Sequence, residues 1–412
     1  MKTELALHIH DPESLERLYR QDPRGFKKSF EESYEIIKGH PAAAFWKARL
    51  DSIHEAIPKV DRKDIAVISI LAVLAAVTAR MPEFLGAPDS FYQRNIGFFV
   101  FPFLAAWFLH ASGAGLRKAL TVSIAMLAAM LWINHLPEDG KSDTLVLACV
   151  HLPFFLWAAI SLVFREGSGD TVDDRRSYLK YSADLLVMGG LLALSGLIMA
   201  GITIALFELI GLDISQQYAT NVAIPLAATL PIVATWLVLK NPALVGRVSP
   251  VIAKVFAPLV LVTLVVFLGA FVSQDKDPFN DRDFLVLFNA LLIGVLAIVF
   301  FAVTEASREA GGRFKIGVLL TLAVVTLVVN GIALSAIGYR TFSMGITPNR
   351  LAVMGANILM FVNMAVIAYD LWTSMKGNAR RLPDRSIAAF LPWYTGWTAA
   401  VVFLFPLVFG YR

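Results

Sequence analysis

The sequence predicts an all-α, polytopic integral membrane protein with about eleven transmembrane helices and a small helical region before them. Apolar runs of about 15 to 28 residues recur after Asp64, and a bilayer core about 30 Å thick needs about 20 apolar residues per helix. Composition agrees, because 57% of the residues are hydrophobic, 17% are charged and the mean hydropathy is +0.65. A soluble domain carries about 25% charged residues.

The region 1–63 differs from the rest because it holds 12 basic and 11 acidic residues. Apolar side chains recur at helical spacing, as at Leu15, Leu18 and Tyr19. Three polar-proline pairs have the form of helix starts, Asp11-Pro12, Asp22-Pro23 and His40-Pro41. We expect three short helices on the cytoplasmic face, forming either a solvated cap over the membrane domain or a docking site for a protein partner.

The domain 64–412 carries the apolar runs. We predict spans over residues 64–80, 95–111, 119–134, 144–164, 183–210, 220–239, 252–273, 284–304, 316–339, 349–372 and 387–410. Gly189, Ala193, Gly196 and Ala200 form a small-residue ridge in the fifth span, which we expect to allow close helix contact.

The basic residues predict the orientation of the spans. With a cytoplasmic N-terminus, 28 of the 36 Lys and Arg residues fall on the cytoplasmic side, and an odd number of spans puts the C-terminus outside. These loops also explain the net charge of +4 and the pI near 9.0, because they face anionic lipid. We therefore expect membrane lipids as partners and no nucleic acid.

Polar side chains concentrate in the ninth and tenth spans and in the outer loop between them. Such groups are costly in a bilayer, so each is a candidate site. The candidate ligand-binding residues are Asn330, Tyr339, Arg340, Asn349, Arg350, Asn357 and Asn363. In the tenth span Asn349, Ala356, Asn363 and Asp370 recur every seven residues, with Arg350 and Asn357 in a parallel row, which predicts one polar stripe.

Two interpretations of this segment stay open. In the structural one, Thr347 caps the tenth helix, Pro348 occupies its first position, Gly345 permits the bend and the asparagines bond neighbouring helices. In the functional one, Arg340 and Arg350 converge with other outer polar groups on an anionic lipid phosphate or carboxylate. Guanidinium suits such a ligand because it donates parallel hydrogen bonds and stays charged.

The string from Tyr339 to Arg350, Tyr-Arg-Thr-Phe-Ser-Met-Gly-Ile-Thr-Pro-Asn-Arg, precedes an apolar helix that carries Asn357 and Asn363. It resembles the signature of an uncharacterised bacterial multi-pass inner-membrane family, domain of unknown function 4153. The resemblance rests on the motif itself and covers about a dozen residues. It implies a multi-pass protein of the bacterial plasma membrane and carries no activity with it.

Metal and cofactor sites are weakly indicated. The acidic loop 275–283 could hold Ca²⁺ or Mg²⁺, and His135 with His151 could bind Zn²⁺. The loop lacks calcium-loop spacing, and a histidine near a span end is usually an interfacial hydrogen bonder. No nucleotide-binding glycine loop, Gly-x-Ser-x-Gly elbow or His-Glu-x-x-His motif occurs, so we expect no metal site and no cofactor.

Three functions remain open. The first is transport or handling of a lipid or anionic small molecule through the outer Arg/Asn site. The second is a non-catalytic scaffold or signalling component that recruits partners through its N-terminal helices. The third is a membrane-embedded transferase that acts on a lipid-linked substrate from the outer side with the acidic loop and the same arginines.

Overall fold

The structure is a computed structural model of the 412-residue chain. It describes residues 9–21, 26, 29–30, 33–34, 37–47, 62–137, 142–164, 171–240, 257–266, 268–269, 282–306, 313–376 and 383–411. The described residues form helices joined by short connections and contain no strand. The chain divides into two compact units, Met1–Arg62 and Lys63–Arg412.

The N-terminal unit has an aromatic core. Helix α1, Pro12–Gln21, begins after Asp11, whose carboxylate accepts hydrogen bonds from the Ser14 amide at 3.3 Å and hydroxyl at 2.6 Å. A short helical segment covers residues 41–47. Leu15, Phe26 and Trp46 are buried in this core. Two of the three predicted helix starts are thus confirmed, and the third, at residues 22–23, lies outside the described residues.

The second unit contains helices α2 to α14. Their bounds are α2 Arg62–Phe84, α3 Asp89–Asn95, α4 Phe101–Ser112, α5 Leu116–His135, α6 Asp143–Ile160, α7 Val172–Leu209, α8 Ser215–Tyr218, α9 Ile224–Lys240, α10 Arg282–Ala306, α11 Arg313–Met344, α12 Pro348–Met375, α13 Pro383–Ala399 and α14 Phe405–Val408. A 3₁₀ turn, Ile96–Phe99, joins α3 to α4, and π-helical turns at Ala219–Ala223 and Ala400–Leu404 lead into α9 and α14.

Nine helical segments in the described part of the chain are long and apolar enough to cross a membrane. They are Lys63–Phe84, Ser90–Ser112, Leu116–His135, Asp143–Ile160, Val172–Leu209, Ser215–Lys240, Arg313–Met344, Pro348–Met375 and Pro383–Val408. Shorter apolar helices, Ala257–Val266 and Leu291–Thr304, lie at the positions of predicted spans seven and eight. The chain is therefore an all-helical, multi-pass membrane protein.

Two apolar cores hold the second unit together. The first contains buried side chains of α2, α4, α5, α6, the N-terminal part of α7, and α9, including Trp107, Leu156 and Tyr178. The second contains side chains of the helix Ala257–Val266 and of α10, α11 and α12. Helix α13 joins both, because Leu391 is buried in the first core and Ile387 in the second.

The π-helical turns have a local cause. Each ends two residues before a proline, Pro225 or Pro406, which lacks the N–H that an α-helix needs and crowds the preceding turn. Pro406 leaves the Val402 carbonyl without its helical donor, and the Trp132 indole N–H donates to that oxygen at 2.9 Å. The sequence therefore breaks the last span in two and repairs the exposed carbonyl with a side chain from α5.

The small-residue ridge of α7 is confirmed as a packing surface at one position only. A Cβ added at Gly189 would meet Leu230 of α9 at 3.5 Å, whereas one added at Gly196 meets no described neighbour within 4 Å. Between residues 183 and 209 no α7 residue is fully buried among the described residues, so the predicted close contact is not seen along the rest of the ridge in that part of the chain.

Candidate functional site

The hairpin between α11 and α12 has the predicted local structure. Thr347 caps α12, because its hydroxyl accepts the Arg350 amide at 3.3 Å, and Pro348 fills the first helical position. Gly345 adopts φ of +84°, a conformation that L side chains rarely adopt. The structural interpretation of this segment is therefore confirmed for the cap and the bend.

Arg350 closes the same hairpin. Its Nη1 donates to the carbonyls of Met344 at 3.0 Å and Gly345 at 2.8 Å, and its Nη2 lies 3.6 Å from the Met344 sulfur. These carbonyls end α11, where backbone acceptors have no helical partner and a cation is favoured. The guanidinium of Arg350 is thus engaged by its own loop.

Arg340 has a different environment. Its Nη1 is buried, and in the described part of the chain this atom has no hydrogen-bond partner. Tyr339 is half exposed on the neighbouring face of α11, and Asn349 is partly exposed at the start of α12. No described contact joins Arg340 to Asn349 or Arg350, so the structure places these polar groups at one end of the hairpin without bringing them into contact.

Three carboxamides meet deeper in the bundle. Asn357 Nδ2 of α12 donates to Asn289 Oδ1 of α10 at 2.7 Å, and Asn330 Nδ2 of α11 donates to the Asn357 backbone carbonyl at 3.4 Å. We call Asn289, Asn330 and Asn357 the asparagine cluster. The Oδ1 atoms of Asn330 and Asn357 are buried without a partner among the described residues.

The polar stripe of α12 divides between neighbours. Asn363 is fully buried, and its Nδ2 donates to the Tyr394 hydroxyl of α13 at 3.2 Å. Asp370 accepts a hydrogen bond from the Ser386 hydroxyl, which also belongs to α13. Asn357 faces α10 and α11 instead. Asn363 is six positions after Asn357, so the two side chains point about 120° apart on a helix with 3.6 residues per turn. The two predicted rows of polar side chains therefore form hydrogen bonds with different neighbouring helices.

Charged groups at the other end of the bundle tie α7 to α13. The buried Asp384 carboxylate pairs with Arg176, and Arg385 Nη2 contacts both carboxylate oxygens of Asp173 at 2.7 and 2.8 Å. The Asp384 Oδ1 atom has no partner among the described residues. These pairs hold the start of α13 against the start of α7.

An apolar groove of about 690 Å³ lies between α12 and α13. Gly355, Ile358 and Leu359 line one wall, and Pro392, Trp393, Gly396 and Trp397 line the other. A Cβ added at Gly355 would overlap the Trp397 indole ring. Glycine at this position therefore allows the indole to lie against the α12 backbone.

The described residues contain no group of three or more His, Cys, Asp or Glu side chains that could hold a metal ion. His135 is exposed at the end of α5, and the His151 Nδ1 lies 2.8 Å from the Leu147 carbonyl within α6. Residues 275–281 of the acidic loop lie outside the described residues.

Several polar residues of these sites were absent from the sequence prediction: Asn289, Tyr394, Ser386, Asp384 and Arg176. Asn289 carried a usable signal, because it is a single carboxamide inside the predicted span 284–304. Ser386, Asp384 and Arg176 lie near span ends, where polar residues are ordinary and only the packing shows which are buried. Tyr394 lies near the middle of the last span, where an aromatic residue does not stand out from its apolar neighbours.

Fold and polar contacts together define a multi-pass helical membrane protein with an arginine-bearing hairpin between α11 and α12 and a buried asparagine cluster. No family model, curated protein or solved structure matches the chain.

Proposed function

We propose that the protein crosses the bacterial plasma membrane eleven times, with the N-terminus in the cytoplasm, and binds an anionic lipid or small molecule at Arg340. Its activity is transport or handling of that ligand. The membrane address follows the resemblance of the Tyr339–Arg350 string to the uncharacterised bacterial family. The observation that carries the binding site is the buried Nη1 of Arg340, which has no hydrogen-bond partner among the described residues.

Contacts between helix ends support the eleven crossings. If spans alternate from a cytoplasmic start, every contact between two ends must join ends on the same side. Contacts of the inner ends are Asp64 with Lys240 and His110, Ser112 with the Val163 carbonyl, Arg176 with Asp384, Arg385 with Asp173, and Ser386 with Asp370. Contacts of the outer ends are Arg80 with Asn221, Arg94 with the Leu136 carbonyl, and Ser142 with the Tyr411 carbonyl. All follow the alternation.

Spans seven and eight fit this alternation. Helix α9 ends inside at Lys240, whereas Asn289, seven residues into α10, bonds Asn357 in the outer half of α12. The chain therefore passes from the inner to the outer side between residues 240 and 282. The apolar helix Ala257–Val266 lies in that interval, and we assign it to the crossing.

The charge of Arg340 explains why an anion is the expected ligand. Guanidinium remains protonated in proteins and has donors but no acceptor. A buried donor without an acceptor carries a desolvation cost that a ligand can remove, and the gain is larger when the ligand is charged. Arg80, Arg94 and Arg350 donate to groups of this chain, whereas no described residue accepts a bond from Arg340 Nη1.

The surroundings of Arg340 favour a ligand at the membrane surface. Phe342, Met344 and Ile346 follow it in sequence and expose most or half of their apolar side chains. Aromatic and aliphatic side chains at a span end lie at the level of the lipid headgroups. An arginine beside them is placed to contact a lipid phosphate or a soluble anion held at that depth.

Native mass spectrometry with lipid analysis tests this site. Protein purified in mild detergent should retain an anionic lipid, and Arg340→Ala should retain at least tenfold less. Arg350→Ala is the matched control, because its guanidinium is engaged by the hairpin and its loss should leave lipid retention unchanged.

If no lipid is retained, titration with short-chain phosphatidylglycerol and with inorganic phosphate separates a lipid ligand from a free anion. Equal binding of both anions by wild type and Arg340→Ala would reject the site.

A further inference from the structure

The asparagine cluster is a second polar site, separate from Arg340, in the interior of the second unit. Asn330 and Asn357 expose 2% and 1% of their surfaces. Asn330 lies near the middle of the 32-residue helix α11, so the cluster is remote from both ends of the hairpin and of the span. Burial at this depth makes every unsatisfied polar atom costly.

The unsatisfied atoms of the cluster are oxygens. Asn330 donates its amide N–H to a backbone carbonyl, which can only accept, so its orientation is set and Oδ1 faces away from any described donor. Asn357 donates to the Asn289 oxygen, which leaves Asn357 Oδ1 unpaired among the described residues. Both carboxamides have used a donor and offer an acceptor.

Thr326 adds a third oxygen on the same face of α11. It lies four residues before Asn330, which is one helical turn, and it is buried. Its hydroxyl donates to the Leu322 carbonyl at 2.7 Å, so its remaining lone pairs can only accept or coordinate.

The ligand that suits these groups is a cation. A water molecule would donate two hydrogens to the oxygens and leave its own lone pairs without donors. An anion would be repelled by the same oxygens, which excludes the ligand of Arg340 from this position. A hard cation has no lone pairs to satisfy and takes oxygen ligands of this kind. The described contacts of Asn330 and Asn357 involve carboxamides and a backbone carbonyl and no carboxylate, which favours a single positive charge.

We propose that the oxygens of Thr326, Asn330 and Asn357 bind a small monovalent cation inside the membrane unit, and we choose Na⁺ as the probe. The site does not depend on the anion site at Arg340. Transporter cation sites lie near the bilayer midplane and use backbone and side-chain oxygens, so such an ion would be positioned to couple to movement of a ligand.

Thermal unfolding in detergent tests the proposal at constant ionic strength. The full-length protein is measured in NaCl and in choline chloride, whose cation is too large for a buried carboxamide site, and in KCl to compare a larger ion. We expect a saturable rise of Tm with Na⁺, because a ligand that binds only the folded state stabilises it. Asn330→Leu, which keeps the branching and the number of heavy side-chain atoms but has no polar group, should lose this rise.

Asn363→Leu is the matched control. Asn363 is as deeply buried on the same helix as Asn357, and its Oδ1 also lacks a hydrogen-bond partner among the described residues. Its Nδ2 bonds Tyr394 of α13 and not the cluster, so its variant should keep the full Na⁺ response whatever its own stability. Thr326→Val is a second test that preserves shape, and it should reduce Na⁺ affinity at least tenfold. Direct binding of ²²Na⁺ to the same variants provides a readout independent of unfolding.

Two results would overturn the cation site. One is an equal Tm in NaCl and choline chloride with no ²²Na⁺ bound by the wild type, which would assign the oxygens to buried water. The other is a Na⁺ response that survives in both Asn330→Leu and Thr326→Val. Arg340→Ala should keep the Na⁺ response, so failure of the anion site and failure of the cation site are separable.

Discussion

At the scale of single residues, Gly355 shows how closely two helices depend on one missing side chain. We expect Gly355→Ala to lower the free energy of unfolding by about 1–3 kcal/mol, because the new methyl group would displace the Trp397 indole. Unfolding by sodium dodecyl sulfate in mixed micelles measures this change.

The control for Gly355 is Gly338→Ala in α11, where an added Cβ meets no described atom within 4 Å. Alanine there should be neutral or stabilising by up to about 1 kcal/mol, since glycine is the poorer helix former. Trp397→Leu should remove most of the penalty of Gly355→Ala if the clash is its cause. A penalty unchanged by that second substitution would contradict the steric explanation.

The bond between Trp132 and the Val402 carbonyl gives a second prediction at this scale. Trp132→Phe leaves that carbonyl without a donor and should cost about 1–3 kcal/mol. Pro406→Ala restores a backbone N–H four residues after Val402, so the cost of Trp132→Phe should be smaller in that background. A double-mutant cycle measures the difference, and additive effects would show that the indole does not replace the missing helical bond.

At the scale of helices, the two ion pairs between α7 and α13 should differ in energy. Asp384 is 3% exposed, and removal of its partner by Arg176→Met leaves a buried carboxylate alone, at a cost of about 3–5 kcal/mol. Asp173 and Arg385 are 57% and 48% exposed, so Arg385→Ala should cost about 0–1 kcal/mol.

This difference is tested by measuring unfolding free energies for three variants: Arg176→Met, Arg385→Ala, and the double variant Arg176→Met with Asp384→Leu. The double variant should recover most of the loss, because it removes the uncompensated charge. Equal costs for the two single variants would mean that burial does not separate the pairs.

Helix positions were predictable from apolar run length, but helix ends and neighbours were not. The fifth span was predicted at 183–210, whereas α7 begins at Val172, because a capping box of Thr171 and Asp174 starts the helix in a polar segment that hydropathy does not register. Helical spacing correctly predicted that Asn357 and Asn363 belong to separate rows of polar side chains on α12. It does not show that Asn357 faces α10 and α11 while Asn363 faces α13. Those choices depend on packing between distant segments.

The candidate site was predicted in part for the same reason. Residue type identified the asparagines and arginines of α11 and α12, and local sequence identified the Thr347 cap. The difference between Arg350, whose guanidinium bonds its own loop, and Arg340, whose Nη1 is buried without a described partner, depends on side-chain direction. Helical spacing alone does not supply it.

At the scale of the whole molecule, the single cysteine allows a direct topology measurement. In a Cys149→Ser background, cysteines at Pro137 and Ser343 should react with an impermeant thiol reagent in intact cells, whereas cysteines at Arg117 and Lys376 should react only after permeabilisation. All four positions are exposed, so burial does not protect them. If the cysteines at positions 137 and 343 were labelled from opposite sides, an odd number of crossings would have to lie between them. The eleven-span arrangement places six there, so that result would contradict it.

Helix α13 belongs to both apolar cores, and it follows all the other predicted spans in chain order. During synthesis, earlier helices enter the membrane while the positions filled by Ile387 and Leu391 are still empty. Neither core can reach its final packing until α13 has been inserted, so one helix completes both cores. A chain halted before residue 383 would hold two incomplete bundles, exposed together to membrane proteases and quality control.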